Sequence, residues 1–325
     1  MKRPFRASLA ALAAATLAST VLVPAAGAAE VAGPVVHSAA PDAATAQAAT
    51  DFWTAEDMRS AIPMRQLLSS AVGKLSEVAR GPAATVRPTA APASAGAAAM
   101  PSTGDQWTGG GAVTSTAGRV FFSFDGQRAS CSGNAVTSAN RSVVMTAGHC
   151  VKYQGSWHTN WIFVPGYDNG AAPFGEWAAA STLTTPQWEA SEDMNYDVGA
   201  AVLNPLDGAY LTDVVGAQGI AFNQQRNQDM YTFGYPAADP YDGSRLIYCS
   251  GSTFTDFLLT QDHGMDCDMT GGSSGGPWFL GFDEATGTGM QNSVNSFGYT
   301  FLPGVMFGPY FGADAQNLYE EAQVA

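Results

Sequence analysis

The residues best suited to covalent chemistry lie in Gly271-Gly272-Ser273-Ser274-Gly275-Gly276-Pro277. A serine among glycines is open to an approaching substrate, and a tight glycine backbone can aim two N–H groups at one developing oxyanion. A Gly/Ser run is by itself only a turn signal, so its meaning depends on what else the chain offers. Upstream, Thr146-Ala147-Gly148-His149-Cys150 follows the apolar Val143-Val144-Met145, and Asn195-Tyr196-Asp197 runs directly into the β-like stretch 198–203. A hydroxyl nucleophile needs a base, and the base needs a group to orient it. All three groups occur, in the order His149, Asp197, Ser274. Asp193 competes with Asp197, and Ser273 with Ser274. Asp197 is preferred because the β-like run follows it at once, and Ser274 because it stands immediately before Gly275-Gly276-Pro277.

The order of the three residues discriminates between architectures. Gly272-x-Ser274-x-Gly276 also fits the nucleophile elbow of α/β-hydrolases, which place the histidine after the serine. The four histidines here, His37, His149, His158 and His263, all precede Ser274. Subtilisin-like order would put the aspartate first. With the three motifs in the remaining order, the sequence resembles the chymotrypsin/trypsin-like serine peptidases, in the bacterial secreted branch close to the glutamyl endopeptidase-like peptidases.

That resemblance implies an all-β fold of two six-stranded antiparallel β-barrels with the active site between them. His149 and Asp197 would come from the first barrel and Ser274 from the second. It implies a serine endopeptidase acting through an acyl-enzyme, with the backbone N–H groups of Gly272 and Ser274 as the oxyanion hole. Ser296-Phe297-Gly298 resembles the strand that pairs with substrate backbone and walls the primary pocket, and Gly308-Pro309-Tyr310 resembles the pocket's far wall. A binding module of the same fold, with little or no catalytic activity, is the alternative reading.

Specificity is less sharply written. Asp268 lies six residues before Ser274, where trypsin-like enzymes place the carboxylate that binds Arg or Lys. Cys267-Asp268 also resembles a Cys-Asp pair of the glutamyl endopeptidase-like enzymes, in which that aspartate does not select basic side chains. The glutamyl group's pocket uses a histidine near the position of Asn295 and a small hydroxyl residue near Met269, and neither is present. A small, apolar or broad preference is therefore expected ahead of a basic or acidic one.

The elements that must position these groups have a β texture. From Gly104 the chain consists of short β-rich runs, 119–124, 161–164, 200–203, 228–233 and 293–298 among them, separated by Gly, Pro, Asn and Asp. Such runs argue for a barrel or sandwich and against alternating β/α units. A short C-terminal helix is expected over 313–322, where Ala315, Leu318 and Ala322 share one face. The cysteines, Cys131, Cys150, Cys249 and Cys267, are even in number and allow three pairings. The family pattern selects Cys131–Cys150 and leaves Cys249–Cys267. No pair has the close spacing of a zinc clip, and neither metal nor cofactor is expected.

The N-terminal third differs. Lys2, Arg3 and Arg6 precede an Ala/Leu-rich run and the small residues 25–29, the pattern of a secretory signal peptide over 1–29. Residues 30–103 are rich in Ala, Pro, Thr and Ser. They read as a propeptide, or as a retained flexible N-terminal region, with one short helix in the stretch 51–59, for which Thr54 is a candidate cap. The peptidase domain is expected over 104–325. Fourteen basic residues face 28 acidic ones, and only 6 basic against 22 acidic lie from Gly104 onward. Such a surface repels phosphate backbones and excludes nucleic acid as a partner. The expected protein is secreted and extracellular, monomeric, free of the membrane after signal cleavage, and a partner to protein or peptide substrates.

Activation should not follow the trypsin route. There the residue before the nucleophile is an aspartate that receives a new N-terminal ammonium. Here it is Ser273, and residues 104–119 contain no Ile-Val-Gly-Gly start.

Overall fold

Alternating apolar residues close the first barrel. In Ala117–Phe124, Val120 and Phe122 point into one cluster together with Cys131, Val144, Met145, Phe163 and Leu183, all fully buried. Six strands complete the ring: Ala117–Phe124, Gln127–Ala135, Val143–Thr146, Gly199–Leu203, Trp177–Thr184 and Thr159–Pro165, the last pairing back to the first. Closure removes the unpaired edges that an open sheet would expose.

The molecule is a computed structural model that describes Met1 and residues 33–68, 75–89 and 101–325. The remainder of the expected signal segment and the low-complexity run 90–100 lie outside the described residues. Gly33–Ala325 form one compact unit. Among the described residues no helix is long and apolar enough to cross a membrane.

The second barrel is built from two sheets. One carries Gly219–Phe222, Thr288–Val294, Pro277–Asp283, Asp229–Gly234, Ile247–Ser252 and Ser102–Gln106. The other carries Phe254–Thr255, His263–Asp266, Leu302–Gly308 and Phe297–Tyr299. Pairing between the barrel strands is antiparallel except where Gly219–Phe222 meets Thr288–Val294. Helix Ala313–Ala322 closes the chain with Ala315, Leu318, Tyr319 and Ala322 buried, and Tyr319 packs on Phe222 at 5.5 Å. Its i, i+3, i+4, i+7 spacing puts these side chains on one face. Disulfides join Cys131 to Cys150 and Cys249 to Cys267. In the chain-entropy picture a bridge across 19 residues stabilises by about 3 kcal/mol.

Residues 33–68 and 75–89 dress both barrels. Val35–Ser38 adds antiparallel to Trp177–Thr184, and Ala84–Val86 adds antiparallel to Gly219–Phe222. Helix Ala43–Asp51 starts from a capping box of Asp42 and Thr45, and helix Ala55–Ser60 from one of Thr54 and Asp57. Each box satisfies two of the N–H groups that a helix start leaves free. Between the helices Trp53 is buried against Phe121 and donates its indole N–H to the Asn160 carbonyl at 2.9 Å. Burying a side chain of that size stabilises by roughly 1.5–3 kcal/mol, which ties this segment firmly to the first barrel.

Candidate active site

His149 sits on the 3-10 turn Gly148–Cys150, directly after the strand Val143–Thr146, and the Cys131–Cys150 bridge tethers that turn to the neighbouring strand. Asp197 lies just before Gly199–Leu203, which pairs with Val143–Thr146. Adjacent strands therefore deliver both residues to one end of the barrel. The His149 backbone N–H donates to Asp197 Oδ1 at 2.7 Å, and Nδ1 lies 2.7 Å from Oδ2. The Ser296 hydroxyl donates to Oδ2 at 2.5 Å. Facing a carboxylate, Nδ1 is the ring nitrogen placed to donate, which leaves Nε2 as the one that can take a proton from a nucleophile. Nε2 is buried and has no hydrogen-bond partner among the described residues.

Ser274 comes from the second barrel, on the turn before Pro277–Asp283. Gly272, two residues earlier, has φ +95°, and a Cβ there would meet the Tyr235 carbonyl oxygen at 2.8 Å. Only glycine combines that left-handed backbone with so close an approach. The Gly272 N–H and the Ser274 hydroxyl reach the same atom, the carbonyl oxygen of Met64, at 2.8 and 3.3 Å.

The rejected rivals are occupied elsewhere. Asp193 accepts from the N–H groups of Asn195 and Ser76. Ser273 donates its hydroxyl to the Thr270 carbonyl at 2.8 Å.

No family model matches the chain. An extracellular metalloprotease of Bacillus subtilis (strain 168) is 35% identical over 79 residues, 24% of each chain, so this chain spans about a quarter of that relative. Solved structures match over far more. Protease Anisep from Arthrobacter nicotinovorans is 44% identical with a TM-score of 0.64, over 69% of this chain and 100% of that one. The thermostable serine protease AL20, from an extremophilic microorganism, is 45% identical with a TM-score of 0.63, over 66% and 99%.

The chain belongs to the chymotrypsin/trypsin-like serine peptidases.

A Glu endopeptidase shares the fold at 16% identity and a TM-score of 0.54, over 70% and 99% of the two chains. In this chymotrypsin-like frame a cavity of about 380 Å³ opens beside Ser274. Its walls include Met269, Phe297, Tyr299, Leu302 and Met306. Asp268 lines it as well, but its exposed carboxylate takes the Tyr241 hydroxyl at 2.5 Å. Burial, and then the Asp268 carboxylate, push the Tyr241 phenol well above its ordinary range. Gly298 borders the cavity, whereas Gly308 pairs with His263 two residues beyond it, and Val305 and Met306 take that wall.

Three further features escaped the sequence. Ser132 donates to the Gly272 carbonyl at 2.9 Å, accepts the Tyr235 N–H at 2.9 Å, and offers its own N–H to the Ser274 carbonyl at 2.7 Å. Asn295 donates to the Ser273 and Phe233 carbonyls and accepts from Trp278 Nε1 and the Thr232 hydroxyl. A serine next to Cys131 and an asparagine next to Ser296 carry no pattern that marks them as supports.

The third feature is the burial of two histidines. His158 lies between the strands that end at Trp157 and begin at Thr159, His263 opens the strand His263–Asp266, and both are fully buried. His158 stacks on Phe122 at 4.2 Å and bonds the His149 carbonyl through Nε2 at 2.9 Å. Burial pushes its imidazole down to about 4, and burial pushes that of His263 down to about 3. Both lie on strands or loops whose apolar neighbours face them from other parts of the chain.

Proposed function

We propose that residues 104–325 are a secreted serine endopeptidase that cleaves peptide bonds through an acyl-enzyme, and that 30–103 is its propeptide. One observation carries the reading. A peptide carbonyl oxygen, that of Met64, lies where both the Gly272 N–H and the Ser274 hydroxyl reach it, while His149 is held by Asp197 through two hydrogen bonds. Of these two donors the Gly272 N–H is the one that would stay on the oxygen of a tetrahedral intermediate, where Ser274 Oγ has become bonded to the carbon.

In the proposed reaction Ser274 Oγ bonds to the scissile carbonyl carbon as its proton passes to His149 Nε2. Negative charge gathers on the carbonyl oxygen, held by the N–H groups of Gly272 and Ser274. Asp197, with both oxygens already hydrogen-bonded, stabilises the imidazolium. The C–N bond breaks as Nε2 returns the proton to the leaving amine. Water repeats the sequence on the ester and releases the acid. The acyl part lies along 296–298 with its last side chain in the cavity, and the amine part leaves over the first barrel. The apolar walls, and the engagement of Asp268 with Tyr241, favour an uncharged side chain at that position.

The test is paired substitution. Ser274→Ala should lower turnover on peptides by several orders of magnitude, since a lost nucleophile typically costs on the order of 10⁶-fold. Ser273→Ala should keep much of the activity. A fluorophosphonate should label mature wild type and Ser273→Ala but not Ser274→Ala. An active Ser274→Ala beside a dead Ser273→Ala reverses the assignment. A folded wild type that neither cleaves nor labels supports the binding-module reading instead.

A further inference from the structure

Residues 62–68 cross the cleft from the first barrel to the second. Ile62–Pro63 pairs with Gln127–Ala135 in parallel, Ile62 opposite Ala129 and Pro63 opposite Ser130. The Met64 N–H donates to the Ser130 carbonyl at 2.9 Å. Its own carbonyl oxygen takes the Gly272 N–H and the Ser274 hydroxyl. Gln66–Leu68 then pairs with Phe297–Tyr299, again in parallel. The segment thus fills the line on which a substrate would lie.

Its polarity is the reverse of a substrate's. In the proposed reaction the part of the peptide on the N-terminal side of the scissile bond lies along the cavity strand, and the part on the C-terminal side lies over the first barrel. Residues 62–64 lie instead on the first barrel and 66–68 on the cavity strand. The nitrogen of Arg65 would have to depart toward the strand that should hold the acyl group. The hydrogen bonds agree with this. The Ser274 proton points at the Met64 carbonyl oxygen, and His149 Nε2 receives none. Attack needs that proton on Nε2 and the Oγ lone pair on the carbonyl carbon, so the bound geometry is unreactive.

We propose that 62–68 is a reverse-threaded internal inhibitor. It sets a carbonyl that cannot be turned over on the Gly272 N–H and the Ser274 hydroxyl, and keeps the unprocessed chain latent. This rests on the assignment of Ser274 given under the proposed function. The segment is held on both sides. The Trp53 anchor lies upstream. Downstream, the Tyr196 hydroxyl donates to the Glu77 carbonyl, and Asp193 and Asn195 bond the backbone of Ser76. Opening the cleft therefore requires more than fraying of two short strands.

The experiment uses the full chain as secreted, sampled while unprocessed and processed forms coexist. A fluorophosphonate probe is added, and its incorporation is followed separately in the two bands on a denaturing gel. A cleft open about one part in a hundred labels about 100-fold more slowly than a free one, and a lag of at least about 10-fold is expected for the unprocessed band. Met64→Pro removes the N–H that bonds Ser130 and should bring the unprocessed band to the rate of the processed one. Mass spectrometry of the released fragments should find the Met64–Arg65 bond intact. Equal labelling of both wild-type bands overturns the proposal without any variant, as does an early fragment ending at Met64. Labelling of neither band removes the assignment of Ser274, and the inhibitor with it.

Discussion

The hydroxyl of Ser132 bridges the Gly272 carbonyl and the Tyr235 N–H, at 2.9 Å each. It thereby fixes the peptide unit that follows Gly272 and holds a left-handed glycine in place. Ser132→Ala would strand two buried polar groups, at a cost of about 1–3 kcal/mol. Part of that cost should appear as disorder of the oxyanion site. The expected result is a fall in kcat of about 10-fold or more with KM little changed, read from steady-state kinetics on a peptide substrate. An unchanged kcat in a folded variant would show that Ser132 is dispensable for the site.

On the proposed function, support of this kind takes the place of the ammonium that trypsin-like zymogens insert. Ser273 offers no carboxylate, and the Ser273 carbonyl is instead held by Asn295 Nδ2 at 3.1 Å. Mature forms beginning at different points at or shortly before Pro101, which keep the barrel strand Ser102–Gln106 whole, should therefore have similar turnover once folded. A single added residue at the N-terminus should change little. Dependence on a buried ion pair would show as a loss equivalent to about 3–5 kcal/mol, so activity confined to one N-terminal register would contradict this account.

Asp268 makes a clean specificity test. With its carboxylate on Tyr241, Asp268→Asn should leave the cleavage profile of a peptide library unchanged, with no Arg or Lys preference before or after the substitution. A wild-type preference for Arg or Lys that disappears in the variant would put the carboxylate in the pocket.

His158 gives a pH prediction. Its imidazole is lowered to about 4 in the fold, chiefly by burial, against an unfolded value of about 6.5. Between these values the unfolded chain binds a proton that the folded chain does not. Stability therefore rises with pH through this window and is lost as pH falls from about 6.5 toward 4. Buried Asp262 is raised well above the ordinary carboxylate range, by burial first and then by Asp256 and Asp197, and it acts in the opposite sense. The difference between wild type and His158→Gln isolates the histidine. Denaturant unfolding should show the variant losing less stability than wild type from pH 6.5 to 4. Equal losses would mean that His158 is not buried neutral.

How much of this was legible in the chain can be argued from particular residues. His149, Asp197 and Ser274 were proposed from three motifs in one chain order, and the fold sets His149 against Asp197. Gly272 came with the family resemblance, and the structure supplies its reason, a φ of +95° beside the Tyr235 carbonyl. The C-terminal helix could be drawn to the residue, since 3.6-residue periodicity is a local property of the chain. The capping box at Thr54 was half legible, through the cap and its following acids.

What the tertiary structure decided is a set of contacts between residues far apart in sequence, for which no local pattern exists. Met64 meets Ser274 across 210 residues, and Ser132 meets Gly272 across 140. Both meetings depend on how two barrels and an N-terminal segment dock. His158 and His263 are polar residues that a sequence reader assigns to the surface, and they are buried only because Phe122 and Trp278 arrive from other strands. The family resemblance put Asp268 at the primary pocket, and it does line that cavity. The direction of its side chain, toward Tyr241, is set by a loop 27 residues away. Chemical identity and backbone preference are carried by each residue and its neighbours. The occupant of the cleft, and the direction in which it runs, follow from surface complementarity that exists only once the chain has folded.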